Sequence, residues 1–192
     1  MNVDDPQWYR RAIFYEVLVR GFNDSSGDGT GDLRGVTEKL DYLEWLGIDC
    51  LWLLPFYESP LADGGYDISD FFSVHPDYGT VGDAAELIDE AHRRGMRVIA
   101  DMVMNHTSDQ HPWFQESRQS RTNPRADWYV WNDDNDRWAE ARVIFVDTEP
   151  SNWSWDTQRE QYYWHRFFHH QPDLNFRNPD VADAMIDVVR YW

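Results

Sequence analysis

The chain has 192 residues, enough for one ordinary domain or a large part of a bigger one. It is 42% hydrophobic and 16% aromatic, which excludes a disordered chain. Its formal charge of −18 repels nucleic acid and anionic membrane surfaces, and leaves a neutral or cationic ligand as the expected partner.

Cys50 is the single cysteine, which excludes an intrachain disulfide and a cysteine-based zinc site. It lies in the apolar run 50–54 and reads as a small buried core residue. Lys39 is the single lysine against 16 arginines, a bias that a saline habitat and a GC-rich genome explain equally well. The opening MNVDDPQWYRR lacks the apolar stretch of a signal peptide, and no run approaches membrane-spanning length. The expectation is a soluble, cytoplasmic protein.

Residues 14–19 form a short run of strand formers and predict a buried strand. The Gly- and Asp-rich stretch 23–32 is a loop. Val36, Leu40, Leu43 and Leu46 recur at helical spacing, and Gly47 supplies a stop. Residues 48–54 predict a second buried strand, closed by Pro55. After an irregular stretch, Thr80 and Asp83 form a capping pair for a helix carrying Ala84, Leu87, Ile88 and Ala91, which ends at Gly95. Residues 97–102 predict a third strand. Continuous apolar strands alternating with amphipathic helices imply an α/β fold with a parallel sheet, either doubly wound or a barrel.

From Asn105 the pattern breaks. The region is rich in Trp, Tyr, Asn, Asp and Pro, has one strand-like run at 142–146, and is too long for a plain loop, so it predicts an inserted subdomain. The acidic run 132–136 reads as a solvated loop, and Trp153 with Trp155 as packing. Asn178-Pro179 is an N-cap followed by Pro at the first helical position, opening a last helix whose apolar face is Val181, Met185, Val188, Val189 and Trp192.

Four groups of residues carry candidate chemistry. In the loop at 24–32, oxygen-bearing residues alternate with small ones, so the backbone could aim Asp24, Ser26, Asp28, Asp32 and the Thr30 carbonyl at one hard cation. Ca²⁺ is the expected ion, and a solvated acidic turn is the alternative. Asp101, Asn105 and His106 follow the third strand, where parallel α/β folds place ligand-facing groups. A capping Asp with a structural His fits that position as well. In Gly64-Gly65-Tyr66-Asp67 the glycines free the backbone to bring an aromatic and a carboxylate into a crevice. A sugar, with apolar faces and polar hydroxyls, needs that pair, although a tight turn with a solvent-facing Asp is an equal reading. In the block at 161–175 most aromatics suit a core, while Gln171, Asp173 and Asn175 gather amides and acids beside them.

Taken in order, these four groups resemble glycoside hydrolase family 13, the α-amylase family. The DxxxNH element at Asp101, Asn105 and His106 resembles the first of its shared regions. QPDLN at 171–175 resembles the fifth, in the form carried by oligo-1,6-glucosidases and trehalose synthases. GFNDSSGDGTGDLRG resembles the calcium loop of the same subgroup, with Ser26 where Asn is usual. The finer text, such as QYYWHRFF and FVDTE, is similar to the trehalose synthase branch. The resemblance covers nearly the entire chain.

It implies a partial (β/α)8 barrel, its first three βα units, with a domain inserted after strand 3. Residues 1–104 would open the barrel, 105–175 would form the insertion and 176–192 would return to the barrel. It implies a retaining enzyme acting on maltose or trehalose through an Asp nucleophile, a Glu acid/base and a stabilising Asp, all beyond Trp192, so the chain alone would be inactive. Tyr66 would stack on the glucose, Asp67, His106 and Gln171 would bind it, and Asp101 and Asn105 would support the site. A hydrolytic α-glucosidase and a non-catalytic carbohydrate-binding relative remain open at this point.

Overall fold

The computed structural model describes residues 6–192. Met1–Asp5, the start of the stretch read for a signal peptide, lies outside the described residues. In chain order the elements are β1 (Phe14–Val17), α1 (Leu33–Glu38), α2 (Leu40–Leu46), β2 (Cys50–Leu53), β3 (Tyr57–Glu58), β4 (Asp70–Val74) and α3 (Val81–Arg93). They continue with β5 (Arg97–Ala100), α4 (Pro112–Ser117), β6 (Trp131–Asn132), β7 (Trp153–Asp156), β8 (Gln161–Trp164) and α5 (Pro179–Tyr191). Among the described residues no helix is long and apolar enough to cross a membrane.

The chain divides into two compact units, residues 1–58 with 73–102, and residues 59–72 with 103–192. In the first unit β1, β2 and β5 form a parallel sheet in that order, with Phe14 opposite Cys50 and Cys50 opposite Arg97. Strand, helix, strand, helix, strand around a parallel sheet is what the periodicity predicted, and it is the order in which a (β/α)8 barrel opens, as the family resemblance implied. Leu33, Val36, Leu40, Leu43 and Leu87 are wholly buried, and burying one such side chain contributes about 2 kcal/mol. Cys50 is buried as expected, and burial pushes its thiol up to about 11.

Local rules account for the helix ends. Thr80 Oγ1 accepts from the Asp83 N–H, and Asp83 Oδ2 accepts in return from the Thr80 N–H, a complete capping box. Gly47 ends α2 in the left-handed region at φ 86°. The helix predicted across 36–46 is broken at Lys39, where φ is −98° and ψ 3°. Thr37 Oγ1 donates back to the Leu33 carbonyl at 3.0 Å, a bond that competes with helix continuation. Gly35 has no room for a side chain, since a Cβ there would meet the Asn23 carbonyl oxygen at 1.9 Å.

In the second unit β6, β8 and β7 form an antiparallel sheet, with Trp131 and Ser154 both opposite Tyr163. Phe114 packs on it, stacked on Trp131 at 5.6 Å and edge-on to Tyr163 at 5.3 Å. The strand-like run 142–146 is irregular. Phe145 instead stacks on Phe168 at 4.2 Å, and its carbonyl closes turns with the N–H groups of Thr148 and Glu149. Trp153 and Trp155, read as packing, are residues of β7.

Asn178 caps α5 by accepting from the Asp180 N–H at 3.0 Å. Val181, Met185 and Val188 are buried, whereas Val189, expected on the same face, is exposed. The Trp192 indole donates to the Phe71 carbonyl at 2.7 Å, and Tyr191 meets Phe72 edge-on. Residues 59–72 and 176–192 thus meet each other and fall in the second unit.

Candidate active site

The loop leading to Tyr66 is built around Asp67. Its carboxylate is wholly buried. Oδ1 accepts from Ser59 Oγ at 3.0 Å and from the Asp63 N–H at 3.0 Å, and Oδ2 accepts from the Ala62 N–H at 2.9 Å. Three donors on one buried carboxylate fix the path of residues 59–63, including the left-handed backbone of Leu61 at φ 59°. The Tyr66 N–H then donates to the Asp63 carbonyl at 3.0 Å, across Gly64 at φ 61° and Gly65 at φ 106°. Positive φ at both central positions is the pattern of a type I′ turn, which glycines adopt without steric cost.

That turn corrects the reading of Asp67 as a sugar ligand. Its oxygens already serve its own loop. Asp63, which the sequence reading passed over, sits across the turn from Tyr66 and is half-buried. Its Oδ2 accepts from Gln171 Nε2 at 2.8 Å, and Gln171 is wholly buried. The Asp-Gly-Gly-Tyr text held this signal, since a two-residue glycine turn places its flanking residues side by side.

His106 is buried in the same unit. Its Nε2 lies 3.1 Å from the Tyr66 carbonyl, and its Nδ1 lies 3.2 Å from Asn105 Nδ2. A carbonyl can only accept, so Nε2 carries the proton and donates. Both ring nitrogens therefore have partners, and His106 braces the Tyr66 backbone. Burial lowers its pKa to about 4, against the favourable Tyr66 carbonyl and the Asp67 charge, so the ring is neutral at physiological pH. Phe167 packs on it at 5.3 Å.

Residues 105–107 and 172–174 run antiparallel, with Leu174 N donating to the Asn105 carbonyl at 2.9 Å. This pairing gathers Tyr66, Asn105, His106 and Gln171 within one unit, with Asp63 added. Asp101 belongs to the other unit, just after β5. Its N–H donates to the Leu53 carbonyl at 2.9 Å, and its charge adds to the burial that raises the Tyr57 hydroxyl. A separate cavity of about 270 Å³ in the second unit is lined by Tyr129, Trp131, Arg137, Trp138, Asn175 and Arg177 among others, and of the candidate residues only Asn175 reaches it.

In the loop at 24–32 the donor chemistry suits a hard cation, and each carboxylate also accepts from nearby N–H groups. Asp24 accepts from the N–H groups of Ser26, Gly27 and Gly29, which hold its carboxyl below the usual range, the Gly29 bond most strongly. Asp28 accepts from the Thr30 N–H at 2.8 Å. Asp32 caps α1 through the Gly35 N–H at 2.6 Å and accepts from Ser25 Oγ. Among the described residues no three His, Cys, Asp or Glu side chains are gathered where they could hold a metal.

The sequence and the fold match known proteins. Residues 16–192 match the model of the alpha amylase catalytic domain, and the chain belongs to that family of enzymes. It is 64% identical, over 98% of its own length and 31% of the relative's, to the trehalose synthase/amylase TreS of Mycobacterium tuberculosis (strain CDC 1551 / Oshkosh). It is 61% identical, over 98% of its length and 33% of the relative's, to the trehalose synthase of Pimelobacter sp. (strain R48). A solved isomaltulose synthase mutant from Erwinia rhapontici NX5, in complex with sucrose, superposes with a TM-score of 0.90 at 46% identity, covering 97% of this chain and 33% of that one. The chain thus spans about a third of the length of the curated relatives it matches.

Proposed function

We propose that this chain supplies the glucose-gripping part of an enzyme that transfers α-glucosyl groups and interconverts maltose and trehalose. The observation that carries the reading is the Asp63–Gln171 pair across the turn from Tyr66: a carboxylate and an amide for hydroxyls, beside an aromatic ring for the apolar face of a pyranose. His106 and Asp67 hold the backbone that presents them. Such fixed groups orient one glucose unit and resist its slippage during transfer. The nucleophile, the acid/base and the stabilising carboxylate are proposed to lie outside this chain, so the chain by itself is expected to be inactive.

The test is product analysis. The full-length gene product, given maltose, should yield trehalose. Glucose as the sole product would favour the hydrolytic alternative, and no change in maltose or any other α-glucoside would reject the enzyme reading in favour of a binding protein. A cytoplasmic location accompanies this proposal and is checked by cell fractionation.

For the loop at 24–32 we propose a Ca²⁺ site held by Asp24, Ser26, Asp28, Asp32 and the Thr30 carbonyl. Equilibrium dialysis with radioactive Ca²⁺ tests it, and binding should be lost in Asp28→Asn. Binding that survives this change would remove the loop from consideration.

A further inference from the structure

Asp173 has no part in the grip described above, yet it is a buried carboxylate within it. Its Oδ1 accepts from Asn105 Nδ2 at 2.8 Å and from the Arg166 N–H at 3.0 Å. The amide of Asn105 has two hydrogens. One goes to Asp173, and the other faces His106 Nδ1 at 3.2 Å. Flipping that amide would set its oxygen against Asp173 Oδ1, so that acceptor oxygen selects the orientation. Nδ1 of His106 is then an acceptor, Nε2 holds the proton, and Nε2–H donates to the Tyr66 carbonyl. Each bond fixes the direction of the next.

We propose that Asp173 is a positioning residue that acts through Asn105 to hold His106 in its Nε2–H form and so anchors Tyr66 at the sugar pocket. Only the identity of the bound sugar rests on the functional reading above. The relay itself rests on the four distances.

The carboxylate is not needed to pair the two segments, because backbone bonds already do so, from Thr107 N to the Pro172 carbonyl and from Leu174 N to the Asn105 carbonyl. A buried carboxylate is also a costly way to fill space. Burial raises the Asp173 carboxyl to about 7, opposed by the Arg166 N–H, the Asn105 amide, the Trp164 side chain and the Arg166 charge. Of the charged groups around the relay, Arg166 faces Asp173, while Asp67 and His170 face His106. As pH falls through neutrality Asp173 takes up a proton, becomes a weaker acceptor, and loosens its hold on Asn105.

The experiment uses the full-length gene product with its histidines labelled with ¹⁵N, and the His106 signals assigned by their loss in His106→Gln. In wild type the Nε2–H form is expected. In Asp173→Ala the ring should exchange between its two neutral forms, and KM for maltose should rise about tenfold, the value of one charge-assisted hydrogen bond, with a smaller change in kcat. Asp173→Asn keeps an acceptor oxygen and should restore both the ring signature and most of KM. Asn105→Ala breaks the relay without touching the buried carboxylate. It should copy Asp173→Ala, and the double variant should be no worse than either alone. An unchanged His106 spectrum in Asp173→Ala, or in Asn105→Ala should the former fail to fold, would overturn the relay. A wild type that leaves maltose untouched would overturn the functional reading while the spectra still decide this one.

Discussion

Replacing Asp67 with Asn separates a loop pin from a sugar ligand. The aspartate takes three donors on two oxygens. Asn can keep its oxygen toward Ser59 Oγ and the Asp63 N–H, which places its NH₂ against the Ala62 N–H. One charge-assisted bond is lost and one buried donor is left unpaired, a combined loss of about 3 kcal/mol. Locally that corresponds to roughly 100-fold faster hydrogen exchange for the amides of Ala62 and Asp63, since each 1.4 kcal/mol is about tenfold. Exchange mass spectrometry on the full-length gene product, read on the peptide spanning 59–68, measures it directly. Asp63→Asn should behave in the opposite way. It removes a half-buried charge that pins nothing in the loop, so exchange should stay near wild type while KM for maltose rises, by about 30-fold if one charged hydrogen bond to a hydroxyl is lost. Wild-type exchange in Asp67→Asn, or a collapsed loop with unaltered KM in Asp63→Asn, would refute the assignment of the two carboxylates.

His106 and His111 both have pKa values lowered to about 4, chiefly by burial. Each folded-state value lies below its unfolded value, so the native state binds fewer protons between pH 6.5 and 4 and loses stability as pH falls through that window, by up to about 3 kcal/mol per histidine. Urea midpoints measured from pH 7 to pH 4 should therefore decline, and His111→Asn should flatten part of the slope. Thr80→Ala removes the capping box of α3 and should lower stability by about 1 kcal/mol. The Thr80 hydroxyl is also the main cause of the depressed Asp83 carboxyl, whose contribution is present above its unfolded value and lost as pH falls. The Asp83 pKa should thus return toward its ordinary value in Thr80→Ala, which titration by NMR would show.

The alternation of strands and helices in the first unit was legible because its signals are local. Apolar runs at 14–19, 48–54 and 97–102 contain the three strands, and Thr80 with Asp83 and Asn178 with Pro179 mark two helix starts by short-range chemistry. The insertion was legible only as a break in pattern. Its strands β7 and β8 pair Trp153 with Trp164 through aromatic packing that follows no period, and 142–146 fails as a strand because Phe145 finds Phe168 instead of a ladder partner. In the site, residue types were visible and their engagements were not. Asp67 beside Tyr66 invites a ligand role, yet burial and three donors give it a structural one, while Asp63 gains its place from a turn and a partner, Gln171, 108 positions away in sequence. His106 is expected from its motif, but the direction of its proton depends on Asn105 and the Tyr66 carbonyl, which only coordinates bring together.

In the function proposed above, Asp63, Tyr66 and Gln171 grip a single glucose unit. A crystal structure of the full-length gene product soaked with glucose tests it most directly. The expected result is one ring with its hydroxyls within hydrogen-bonding distance of the Asp63 carboxylate and its face against Tyr66, with His106 still bonded to the Tyr66 carbonyl. Glucose seated elsewhere while Asp63 and Gln171 keep only each other would contradict it.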